Sequence, residues 1–158
     1  MRPLITRAVF LVLFCYTGLT VHAQHTEEPL AVIVHPDNPV SDMSFREVRR
    51  LLRMDRQYWS PGRPVSLILP GPAVPERRRA LARAYQMSEQ AFRQYWISVA
   101  YGVQALNLPR PYGDCEVAVR IVGSLEDAMS VVRASCIDES VKVIYVDQRK
   151  PGDEGYRL

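Results

Sequence analysis

Histidine is scarce in this chain, and the scarcity narrows its chemistry. Three of the 158 residues are histidines. His22 falls in the N-terminal apolar segment and His25 in the polar stretch behind it, which leaves His35 as the one credible general base. A serine triad needs a base that reaches its nucleophile. No G-x-S-x-G elbow accompanies His35. Walker loops, G-x-G-x-x-G and H-E-x-x-H are also missing. Asp37, Asp42, Asp114 and Glu116 could form a carboxylate pair, but turns and helix caps account for them equally well. Each of these enzyme classes therefore lacks a required part, and the sequence reads as non-enzymatic with no cofactor. A secreted hydrolase using His35 is the residual catalytic alternative.

Cysteine is nearly as rare. Cys15 lies in the N-terminal segment, and Cys115 and Cys136 remain. Their spacing fits neither a CxxC redox motif nor a zinc site, so no metal is expected. An even pair in an exported chain suggests a disulfide. It would close a loop of about 22 residues and add roughly 3 kcal/mol on the chain-entropy model. Two buried free thiols are the alternative.

Long apolar runs are confined to the start. Arg2 and Arg7 precede an apolar stretch, and Val21-His22-Ala23 ends it on a small residue. Residues 1–23 thus read as a secretory signal peptide cut after Ala23. The run is shorter than the roughly 20 apolar residues of a membrane span. Bulky Phe14 before Cys15 argues against a lipoprotein. The protein is expected in the periplasm or secreted.

Cleavage would remove two arginines and leave 18 basic against 17 acidic side chains, a net charge of +1. That balance does not argue for nucleic acid, which needs a concentrated basic face, and no nucleic-acid partner is expected. A local arginine excess survives at Arg46, Arg49, Arg50, Arg53 and Arg56, and at Arg77, Arg78 and Arg79. It reads as solvated helix surface, with an anion or acidic-partner patch as the alternative. The remaining length, about 135 residues, suits one domain with one core.

The organisation follows from local patterns. Residues 24–29 are a polar leader, 30–146 an α/β domain and 147–158 a polar tail expected to fray. The β-branched run at 31–34 predicts a strand buried on both faces. Ser44-Phe45-Arg46-Glu47 is a capping box. Phe45, Val48 and Leu52 then recur at helical spacing, with the arginines mostly opposite. Trp59-Ser60-Pro61-Gly62 predicts a turn, and 65–69 a second strand. Pro75 suits the first turn of a helix over 76–85. Ser88 caps another, with Phe92, Tyr95, Trp96 and Val99 as a core stripe. A loop over 102–114, a short strand at 117–122, a helix opened by Ser124 and carrying Ala128, Val131 and Val132, and a last strand at 141–146 complete the reading. Strands alternating with helices predict an α/β layer with a mostly parallel sheet.

The segment PVSDMSFREVRRLL, then Trp59, Gly62 and a hydrophobic strand, resembles the phosphate-type periplasmic substrate-binding proteins of ABC transporters. MSEQAFRQYWISVAYG and the closing Ile144-Tyr145-Val146 fit the same pattern, so the resemblance covers residues 30–146. It implies a single-lobe, three-layer periplasmic-binding-protein-like domain and an exported binding role. The implied partner is a small oxyanion such as phosphate, or a membrane transporter or sensor component.

Two features depart from the family. The chain has room for one lobe only, so a phosphate site would have to be completed by dimerisation. Where the family has a Ser-Gly-Thr helix start for the anion, this chain has Gly71-Pro72-Ala73-Val74-Pro75. Its prolines lack amide donors. Ligands of open α/β sheets sit at strand carboxyl ends. The candidate ligand contacts are therefore Asn38 and Ser41 after the first strand, and Gly71, Arg77 and Arg78 after the second.

Overall fold

The first strand, β1 (Leu30–Val34), is buried along all five residues, as its unbroken apolar run requires. The structure is a computed structural model describing residues 28–101 and 108–158. The expected signal peptide and most of the leader lie outside the described residues. A short strand β2 (Asp42–Met43) leads into helix α1 (Phe45–Leu52). The capping box forms: Ser44 N–H donates to Glu47 Oε2 at 3.0 Å, and Glu47 N–H to Ser44 Oγ at 3.3 Å. The expected turn joins β3 (Tyr58–Ser60) to β4 (Arg63–Pro64), with Gly62 at φ +79°.

Strand β5 (Ser66–Pro70) follows, then α2 (Arg77–Ala80), which widens into a π turn (Leu81–Tyr85). Gln86, in the left-handed region, ends it. Helix α3 spans Glu89–Tyr101. Strand β6 (Arg110–Tyr112) pairs with β5 where the sequence suggested only loop. Its Pro111 is tolerated because β6 is an edge strand.

The main sheet has six strands in the order β2-β8-β1-β7-β5-β6. Here β7 is Ala128–Arg133 and β8 is Lys142–Val146. Three of the five pairings are parallel, and β1 runs against both of its neighbours. One face packs Val32, Val34, Leu67, Leu69 and Val131 under α1, the π turn and Phe92 of α3. The other packs Ala31, Ile33, Ile68 and Val132 under α4 (Cys115–Ser124). The result is the expected three-layer α/β domain with a mostly parallel sheet.

Two expectations exchange places. Residues 117–122 are helical, within α4. Asp114 caps that helix, accepting from Glu116 N–H at 2.9 Å. Cys115, Ala118, Val119 and Val122 then form a buried i, i+3, i+4, i+7 stripe. Conversely, Ala128, Val131 and Val132 belong to strand β7, not to a helix opened by Ser124. Residues 128–132 are all buried between β1 and β5. A short run buried on both faces carries no alternation to mark it as a strand.

The tail also differs from expectation. Leu158 is buried, Tyr156 is half-buried, and the Arg157 guanidinium stacks 4.0 Å from the Phe45 ring centroid. Apolar side chains at its end anchor this polar segment to the core.

Candidate functional site

The five residues expected to form one surface divide into two groups. Asn38 and Ser41 follow β1, whereas Gly71, Arg77 and Arg78 follow β5. Strand β7 stands between β1 and β5, and β1 runs opposite to β5. Their carboxyl ends therefore lie at opposite ends of the sheet's strands. The sequence treated the two strands as parallel neighbours, and pairing register is invisible to local patterns.

Asn38 is buried and shapes its own turn. Its Oδ1 accepts from Val40 N–H at 3.0 Å, and its carbonyl accepts from Lys142 Nζ. Ser41 is exposed, and its carbonyl accepts from Tyr145 N–H at 2.9 Å. His35 Nδ1 accepts from Asp37 N–H at 3.2 Å, with the Asp37 carboxylate 3.8 Å away. Among the described residues no hydroxyl or thiol bonds to it.

Gly71 makes the close backbone approach expected of it, but to β6. Its N–H donates to the Tyr112 carbonyl at 2.8 Å, and a Cβ there would sit 2.7 Å from that oxygen. Arg77 is committed. Its Nε and Nη2 grip both Glu89 oxygens at 2.9 and 2.8 Å, and Nη1 donates to the Pro70 carbonyl. Its guanidinium also lies 4.8 Å from the Phe92 ring centroid. A fork so fully used has little left for an anion. Arg78 is exposed on a hollow of about 400 Å³ that also reaches Pro72, Met87 and Ser88.

Beside these residues lies a buried polar group that sequence reasoning missed. The Glu76 carboxylate is fully buried and 3.2 Å from Arg133 Nε. Tyr112 Oη sits 3.1 Å from Glu76 Oε1 and 2.9 Å from the Val131 carbonyl. Burial, and then the nearby Glu76 charge, push the Tyr112 phenol well above its ordinary range. The three residues are 57 positions apart at most, and no local spacing announces them.

Next to Arg77, an apolar groove of about 550 Å³ runs between α3 and the β5–β6 edge. Leu69, Phe92, Trp96, Ile97, Leu108 and Pro111 line it, with Arg77 and Arg93 also in the lining. The stripe expected to be core is core only at Phe92. Trp96 is half-buried, and Ile97 and Leu108 are 58% and 49% exposed.

The expected disulfide joins Cys115 to Cys136, with Cα atoms 6.0 Å apart. Asp114, Cys115 and Glu116 are the one trio with metal-ligand character among the described residues. The Cys115 sulfur is bonded, so it offers no thiolate.

No family model matches the sequence, and no curated protein is similar to it in sequence. Solved structures are similar in fold. An ABC-type phosphate transport receptor from Vibrio cholerae superposes with a TM-score of 0.63 at 14% identity, covering 78% of this chain and 48% of the receptor. PstS from Borrelia burgdorferi superposes at 0.61 with 8% identity, covering 83% of this chain and 54% of that one. The chain thus spans about half the length of the structures it matches, and it has the α/β fold of phosphate-receptor-type periplasmic binding proteins.

Proposed function

We propose that this chain is an exported, non-enzymatic binding module that presents the groove beside α3 to a partner protein, such as a transporter or sensor component at the membrane. The carrying observation is the apolar groove itself, with Ile97 and Leu108 exposed on it. Exposed large apolar surface costs free energy in water and marks interaction sites. A mostly apolar lining favours a protein surface over a small oxyanion as its occupant. The N-terminal segment supports export, and the likeness to a phosphate transport receptor and to PstS supports a binding rather than a catalytic role.

Photo-crosslinking in cells from a probe replacing Ile97, with one replacing Arg120 on α4 as control, tests this reading. An adduct with one membrane component from Ile97 alone is expected. Its absence, with the protein monomeric by light scattering, overturns the reading.

A second reading is a phosphate or oxyanion site around Arg78, completed by dimerisation. Exposed Arg78 favours it. Calorimetric titration with phosphate separates the two. Micromolar affinity lost in the Arg78→Ala variant would replace the first reading with the second.

A further inference from the structure

Helix α1 carries Arg46, Arg49 and Arg50, and Arg53 caps its end; at i, i+3, i+4 and i+7 the four fall on one side. The opposite face is fixed by Phe45, Val48, Leu51 and Leu52 in the core. The arginine face is not flat. The C-terminal segment returns over it, so that Arg157 and Phe45 close one side of a hollow of about 360 Å³. Asp55 is the one acidic residue in its lining.

Counter-charges are few. Arg53 lies 3.6 Å from Asp55 and Arg157 lies 3.7 Å from Asp147. Glu47 is held in the capping box by Ser44. Among the described residues no carboxylate lies within ion-pair distance of Arg46, Arg49 or Arg50. Arg49 Nε is buried with no hydrogen-bond partner. Guanidinium is charged at every accessible pH, and like charges at i, i+4 repel. The fold thus places three forks without a close ion-pair partner around one hollow.

We propose that this hollow binds a small anion carrying two or more phosphate groups. Guanidinium forks match phosphate oxygens in pairs. The face from Arg46 to Arg53 spans roughly 10 Å at about 1.5 Å per residue, more than one phosphate covers. The volume lies in the range of small-ligand sites, about 300 to 1,000 Å³, and an acidic peptide would need several residues to deliver the same charge there. The site is separate from the groove and does not depend on what the groove binds.

Tripolyphosphate is the probe for the free ligand, and vesicles of phosphatidic acid in phosphatidylcholine are the probe for lipid-borne phosphates. Calorimetry of the purified protein at low ionic strength should give micromolar affinity for tripolyphosphate, weakening steeply with added salt. Arg49→Ala/Arg50→Ala should weaken binding at least tenfold. Arg49→Lys/Arg50→Lys, which keeps the charge and loses the fork, should weaken it severalfold. Circular dichroism and the thermal midpoint confirm that the variants fold. Vesicle binding that needs both arginines, without heat from tripolyphosphate, would place the phosphates on a lipid surface and uphold the site. Binding to neither probe, or equal binding by the double alanine variant, overturns the proposal.

Discussion

Arg77 shows how one side chain can be removed from ligand chemistry by its neighbours. By sequence it is a cation after a strand end. In the fold it is a strut that ties Glu89 at the start of α3 to the last carbonyl of β5. The Arg77 hydrogen bonds hold the Glu89 carboxyl below its ordinary 4.5. A carboxylate with a depressed folded-state pKa stabilises the fold fully above its unfolded value and loses that contribution as pH falls through the folded one. The strut should therefore weaken below about pH 4.5 and not in alkali. Because the Glu89 side chain is 47% exposed, solvent screens the pair and its contribution is modest. Glu89→Gln should lower the urea midpoint at pH 7 and flatten the parental loss of stability between pH 5 and 3. Identical pH profiles for the two proteins would show that the strut carries no linkage.

Among the elements, β5 and β6 are followed by a close backbone contact at a single glycine. Gly71 must lack a Cβ because the Tyr112 carbonyl occupies that space. Gly71→Ala should destabilise the fold by about 1 to 3 kcal/mol through overpacking. An unchanged chemical-denaturation midpoint would show that β6 yields without cost. The same scale explains what was legible locally. The Ser44 capping box and the stripe of α1 read correctly because both are complete within nine residues. Strand β7 did not, because two-sided burial erases its alternation. Helix α4 did not, because the β-branched Val117, Val119, Ile121 and Val122 outweighed the cap at Asp114. Of the candidate contacts, Gly71, Arg77 and Arg78 follow β5, while Asn38 and Ser41 follow the oppositely directed β1 at the other end of the strands, a separation that local patterns do not encode.

Across the whole molecule, two layers of helix cover a sheet whose central strand opposes its neighbours. The Cys115–Cys136 bridge ties the start of α4 to the turn beyond β7, across a separation of 21 residues. Cys136→Ser should cost roughly 3 kcal/mol on the loop-entropy estimate. Dithiothreitol should lower the parental melting midpoint and leave the variant unmoved. A midpoint equal in both conditions would show that the bridge adds nothing.

The sequence by itself determined the elements with complete local signals: the buried run of β1, the capped helix α1, the turn at Gly62 and the α/β alternation. These depend on contacts within a few residues. Tertiary structure alone decided that β1 runs against its neighbours, that Arg77 is occupied, and that Phe92, Trp96 and Ile97 divide between core and open groove. It also brought Arg157 over Phe45 to enclose the arginine face of α1. Each outcome depends on which distant segments meet, and neither spacing nor composition encodes that choice.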